Sequence, residues 1–218
     1  MDTQFWLERW ETSQTGFHQH EVNSHLLRYW PKLGLEPGSR ILVPLCGKSI
    51  DMLWLEAQGY RIIGIELSRI AAESFFTENG LTPEIHKEKH CTRYVHENTE
   101  LVCGDFFNLT PEDIGQVDAF YDRAALIALT PAQRSGYADH LAQLLDRDTQ
   151  GLLITLDYNQ LEMSGPPFAV SHEEVSRLFE PGCAVKHLFH FDALEDNVRF
   201  KERGVTELAE HAYHLKRI

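Results

Sequence analysis

Short, wholly apolar runs alternate along this chain with segments whose apolar residues recur every three or four positions. The first run, "ILVPLC" at 41–46, follows the turn "GLEPGSR" and has no polar position on either face. A strand covered on both sides has that pattern. "SIDMLWLEAQGY" then predicts a helix ended by Gly59, and "RIIGIE" at 61–66 a second buried strand. "SRIAAESFFTENG" at 68–80 predicts a helix with a serine cap and a glycine stop. "ELVCGDFF" (100–107) and "VDAFYDR" (117–123) supply strands three and four, and "PAQRSGYADHLAQLL" (131–145) a helix with proline near its start. "GLLITLDYN" (151–159) is the fifth and most apolar strand. The last runs, "CAVKHLFHFD" (183–192) and "VTELAEHAYHLKRI" (205–218), alternate better and predict a closing antiparallel pair.

Strands alternating with helices imply a doubly wound, mainly parallel α/β sheet in one domain, residues 1–218. Ahead of it, Phe5, Trp6, Trp10, Leu26, Leu27 and Trp30 sit at helical spacing around the polar stretch "ETSQTGFHQHEVN". Two short helices around a loop are expected there. Segment 81–98, "LTPEIHKEKHCTRYVHEN", is polar and breaks the alternation, so it is expected as an excursion off the sheet.

Composition narrows the function classes. The 218 residues are 43% hydrophobic and 24% charged, enough for a full core without disulfide or metal staples. Acids outnumber Lys and Arg by 33 to 20, for a formal charge of -13. Nucleic acids and anionic membranes bind through basic clusters, which this chain lacks, so neither is expected as a partner. Cys46, Cys91, Cys103 and Cys183 form no C-x-x-C pair and fit free thiols in a reducing compartment. The start "MDTQFWLERW" has no signal-peptide pattern, and no window approaches the ~20 apolar residues of a membrane helix. A cytoplasmic location is expected. The twelve histidines include the pairs His86/His90 and His187/His190, but no H-E-x-x-H and no completing ligand set, so no metal is expected.

Gly47-Lys48-Ser49 matches the end of a triphosphate-binding loop. Such a loop needs glycine five residues earlier, where its amides begin to wrap a phosphate, and that position is Leu42. A G-x-G-x-x-G fingerprint is missing too, since Gly47 stands alone in its turn. What remains is a site at the carboxyl ends of parallel strands, where open sheets bind ligands. Leu45 and Gly47 end strand one. Glu66 ends strand two, placed to accept from ribose hydroxyls, and Gly104-Asp105 end strand three, where bare backbone lets an adenine approach. A nucleoside without a phosphate cradle points to S-adenosylmethionine. An acid at a strand end also has an ordinary reading as a solvated charge.

Several segments in order closely resemble the thiopurine S-methyltransferases, in a bacterial form: "FWLERWETSQTGFHQ", "VPLCGKSIDMLWLEAQGYRIIGIELS", "YDRAALIALTPAQRSGYA", "SGPPFAVSHEEVSRLF" and "NVRFKERGVTELAEHAYHL". The resemblance implies a seven-stranded, Rossmann-like methyltransferase sheet with an antiparallel last strand. It also implies an N-terminal helical lid over residues 1–34. By residue match, Trp6, Trp10 and Phe17 belong to the segment that folds over S-adenosylmethionine. Leu45 lies against its methionine end, in the cofactor-binding turn that also holds Gly47, with Glu66 against ribose and Gly104 and Asp105 beside adenine. Arg123 follows strand four at the ligand edge, and Arg199 approaches substrate near the C-terminus. Trp6 reads equally as core, Arg123 as a salt-bridging arginine, and Arg199 as a surface charge on a loop. Asp122 is a candidate proton acceptor, although heteroaromatic thiols ionise near neutral pH and need no strong base. "GPPF" (165–168) follows strand five and is expected to wall the substrate pocket.

The implied activity is a cytosolic, monomeric S-adenosylmethionine-dependent S-methyltransferase of aromatic and heterocyclic thiols, with selenium and tellurium compounds as further substrates and detoxification as the setting. Three alternatives stand beside it: a halide or thiocyanate methyltransferase, a non-catalytic regulator that binds the same cofactor, and a nicotinamide-dependent oxidoreductase, which the missing glycines disfavour.

Overall fold

The structure is a computed structural model that describes residues 3–16 and 18–218, in two compact units, 1–121 and 122–218. In the first, helices α1 (Thr3–Glu11) and α2 (Ser24–Tyr29) precede strand β1 (Arg40–Val43), as expected from the spacing of the aromatic residues. There follow α3 (Asp51–Ala57), β2 (Arg61–Glu66), α4 (Arg69–Glu78), β3 (Glu84–Lys87), β4 (Thr92–His96), β5 (Thr99–Cys103), α5 (Pro111–Ile114) and β6 (Ala119–Asp122). The strands run in the order β3-β4-β5-β2-β1-β6. β5, β2, β1 and β6 run parallel to one another. Because β2 lies on one side of β1 and β6 on the other, strand order reverses at β1. β1 is shorter than its apolar run because Pro44 has no amide to donate and Leu45 adopts a positive φ of 48°.

Residues 81–98 are not an excursion. β3 pairs antiparallel with β4, and β4 with β5, so a hairpin extends the sheet. With the seven runs read from sequence this makes nine strands, not seven, among the described residues. The hairpin has no apolar signature because it is held by charge: Arg93 pairs with Glu88 and Glu100, and Arg40 pairs with Glu100 at 3.2 Å. Only Tyr94 of β4 is buried, stacked on Phe76. His86 therefore lies on a strand rather than at helical spacing with His90.

The N-terminal helices are tied to this unit by Asp51, which is 1% exposed. Its Oδ1 accepts from the Asn23 amide at 2.9 Å and its Oδ2 from the Tyr121 hydroxyl at 3.0 Å. Asn23 in turn caps α2 through its side chain. α3 packs so closely on β2 that a Cβ at Gly64 would lie 2.8 Å from Cys46 Sγ and 2.9 Å from Met52 Sδ.

The second unit holds α6 (Ala125–Ala128), α7 (Pro131–Leu144), β7 (Gln150–Tyr158), α8 (His172–Phe179), β8 (Cys183–Asp192), α9 (Val198–Glu202) and β9 (Leu208–Arg217). The last strand, β9, is antiparallel to both β7 and β8, as expected. Arg134 is fully buried. It donates to Leu129 O at 3.1 Å and pairs with Glu174 at 2.6 Å, joining α7 to α8. No described helix is long and apolar enough to cross a membrane.

Gly64→Ala should lower the unfolding free energy by about 1–3 kcal/mol, the usual cost of overfilling a packed core. A fall in the urea midpoint with an unchanged m-value is the expected reading; an unshifted midpoint would mean that Met52 and Cys46 move aside freely.

Candidate functional site

In the first unit, the carboxyl end of β1 opens into the turn Pro44–Gly47, at the point where strand order reverses. Gly47 has a φ of +56°, and a Cβ there would stand 3.3 Å from the Trp10 ring. Trp10 is buried and lies directly against this turn, whereas Trp6 is half-buried and meets Phe5 edge to face. Phe17 lies outside the described residues.

Glu66 ends β2 and is 7% exposed. Its Oε2 accepts from the Gly47 amide at 2.9 Å and its Oε1 from the Ser68 amide at 2.7 Å. Each oxygen keeps a further lone pair. Burial pushes the carboxyl up to about 7, although backbone amides at Ser68, Gly47 and Leu67 pull the other way. Burial, with Glu66 beside it, also drives the Cys46 thiol well up, so it stays protonated. The next strand end is joined on: Gly104 N donates to Glu66 O at 2.9 Å, and Asp105 caps the following turn by accepting from Phe107 N at 3.1 Å. A Cβ at Gly104 would press on Cys91 at 3.1 Å. Leu45, Gly47, Glu66, Gly104 and Asp105 thus stand at the ends of β1, β2 and β5.

The second unit contains the arginines. Arg123 is half-buried and follows Asp122, which is 1% exposed. Asp122 Oδ1 accepts from the amides of Ala125 (3.0 Å) and Leu126 (3.3 Å), and Oδ2 from the Tyr137 hydroxyl at 2.7 Å. Burial raises its carboxyl to about 6 against those hydrogen bonds. The residue considered from sequence as a proton acceptor thus holds the backbone at Ala125 and Leu126, just after Arg123. Tyr137, fifteen positions along on α7, carried no signal of this in the chain. Arg199 is exposed, and it lies on α9 rather than on a loop.

Four histidines stack in this unit. His187 Nε2 lies 3.0 Å from His211 Nδ1, and His172 and His190 stack on them beside Tyr213. Burial, reinforced by the neighbouring imidazoles, brings His211 down to about 4. Among the described residues, no group of three His, Cys, Asp or Glu side chains is arranged to hold a metal ion.

The profile of the family described as thiopurine S-methyltransferase (TPMT) matches residues 1–218. A thiopurine S-methyltransferase of Nitrosospira multiformis is 47% identical over 215 residues, covering 99% of this chain and 98% of that protein. One from Pseudomonas fluorescens is 48% identical over 215 residues, with 99% of both chains covered. Among solved structures, an S-adenosylmethionine-dependent methyltransferase of Anabaena variabilis superposes with a TM-score of 0.64 at 15% identity, covering 99% of this chain and 95% of that one. The YcgJ protein of Bacillus subtilis superposes with a TM-score of 0.65 at 13% identity, over 89% of this chain and 99% of that one. Such distant likenesses establish the methyltransferase fold, and the match in sequence goes further. The chain belongs to the thiopurine S-methyltransferase family, and is an enzyme that uses S-adenosylmethionine as cosubstrate.

Proposed function

We propose that the enzyme methylates the sulfur of aromatic and heterocyclic thiols, thiopurines among them, and that selenium and tellurium species of similar charge are further acceptors. The observation that carries this reading is the match along the whole chain to a family named for that reaction. The residues at the strand ends fit the cosubstrate. Gly47 and Gly104 let Trp10 and Cys91 pack closely on the two turns, and Glu66 has lone pairs left for ribose hydroxyls. Leu45 flanks the methionine end, Asp105 lies beside adenine, and Trp10, with Trp6, roofs the site. By the family match, Arg123 is assigned to cosubstrate binding and, with Arg199, to orienting the substrate.

Bound S-adenosylmethionine supplies a sulfonium methyl group, which passes to a thiolate and leaves a neutral thioether. The chain's contribution is alignment and exclusion of water. An indole such as that of Trp10 keeps solvent out and favours a nearby cation. Arg123 and Arg199 favour the ionised thiol and orient it. Asp122 acts indirectly, by fixing the loop on which Arg123 rides. In this reading both units serve one methyltransferase domain, in a cytosolic monomer whose substrate is a small molecule and whose setting is detoxification.

Thiophenol and a thiopurine should both be methylated, and the Arg123→Ala and Arg199→Ala variants should each lose about tenfold or more in kcat/KM. Arg123→Ala should also weaken S-adenosylhomocysteine, whereas Arg199→Ala should bind it normally in calorimetry. Wild-type kcat/KM in both variants would remove the orienting role.

Glu66 adds a pH signature. Only its ionised form accepts from both hydroxyls, and in the free protein it sits at about 7, so binding must draw off a proton as pH falls below that value. S-adenosylhomocysteine should therefore bind about tenfold more weakly at pH 6 than at pH 8. Glu66→Gln should bind weakly at both values; a variant that keeps the slope would assign it to another group.

A further inference from the structure

The segment after β7 drew notice in the sequence for Gly165-Pro166-Pro167-Phe168, yet a different side chain holds it in shape. Gln160 Nε2 donates to Met163 O at 2.6 Å and to the Tyr158 hydroxyl at 3.0 Å. Gln160 Oε1 accepts from the Ala169 amide at 2.8 Å. The Tyr158 hydroxyl passes the chain on by donating to Pro167 O at 2.6 Å. Both hydrogens of one amide, and its oxygen, thus close residues 158–169 on themselves. Phe168 N then donates to Ile127 O at 2.7 Å, joining this wall to the segment that follows Arg123.

The same brace reaches α9. The Tyr158 ring meets Phe200 edge to face, with centroids 5.7 Å apart, and Arg203 Nη1 lies 3.4 Å from Met163 Sδ. Tyr158 and Met163 belong to a small buried cluster with Ala193, Val205 and Leu208, against which Phe200 packs. Phe200 is the neighbour of Arg199. The ring that receives one Gln160 hydrogen therefore supports the turn of helix that carries Arg199, and the carbonyl that receives the other lies in the residue touching Arg203.

We propose that Gln160 is a positioning residue for substrate: through Tyr158 and Phe200 it sets where Arg199 stands relative to the wall at 165–168. It thereby decides how sharply the enzyme discriminates among aryl thiols. The inference rests on the substrate-orienting role assigned to Arg199 above. A loop staple with no such role would matter for stability alone, and the two differ in kinetics.

The test compares the wild type with Gln160→Met, Arg199→Ala and the double variant, using thiophenol and 2-naphthalenethiol as substrates. Methionine keeps the length of the side chain and removes its three hydrogen bonds. Gln160→Met should raise KM about fivefold or more, with kcat within about twofold and unchanged affinity for S-adenosylhomocysteine. The ratio of kcat/KM between the two thiols should move toward one. In the double variant the losses should not multiply, because what Gln160 places has already been removed. Should Gln160→Met fail to fold, Gln160→Glu keeps the bond from Ala169, loses both donors, and should give the same pattern. A wild-type KM in either variant, multiplying losses, or a parallel fall in S-adenosylhomocysteine affinity overturns the proposal. If Arg199→Ala is impaired while the Gln160 variants are not, only this inference falls; if the wild type methylates neither thiol, the functional reading falls and takes it along.

Discussion

A carboxylate removed from water costs free energy unless fixed dipoles replace its hydration. At the end of β2 the chain accepts that cost with Glu66, and the dipoles are two amides from different segments. One belongs to the turn after β1 and the other to the start of α4. The carbonyl of the same residue holds Gly104. Three strand ends are thus organised around one residue, through its side chain and its carbonyl, at the point where strand order reverses. Gly47 must be glycine on two counts, its positive φ and the Trp10 ring pressed against it. This corner presents a partly satisfied acid, which can accept from a hydroxyl and repels a phosphate.

The second unit solves a different problem by similar means. Its candidate functional segments are loops and short helices, which have little apolar surface to hold themselves rigid. Each is fixed by one polar side chain that makes three hydrogen bonds. Asp122 gathers Ala125, Leu126 and Tyr137, and Gln160 gathers Tyr158, Met163 and Ala169. Buried or half-buried polar groups of this kind are directional, so they specify one arrangement where packing alone tolerates several.

The sheet itself is shared with proteins only 13% and 15% identical, so it constrains side chains loosely. The relatives at 47% and 48% identity match over 99% of the chain, so the likeness to them takes in strand ends and loops as well as the sheet.

The sequence alone determined the elements whose signal is apolar. Seven strands, the capped α4 and the aromatic N-terminal helices could be read because burial on a sheet or a helix face leaves a period in the chain. It also placed Leu45, Gly47, Glu66 and Gly104 at strand ends, since a ligand corner follows from where strands stop. The β3–β4 hairpin was illegible because ion pairs of Arg93, rather than buried apolar residues, hold it on β5. Tertiary structure alone showed that Asp122 is buried and gathers Ala125, Leu126 and the distant Tyr137 hydroxyl. It alone revealed Gln160, whose three partners are spread over a loop with no periodicity to betray them. Apolar contacts are written locally and repeatedly along a chain; a hydrogen-bonding hub is a single residue whose meaning depends on where the rest of the chain returns.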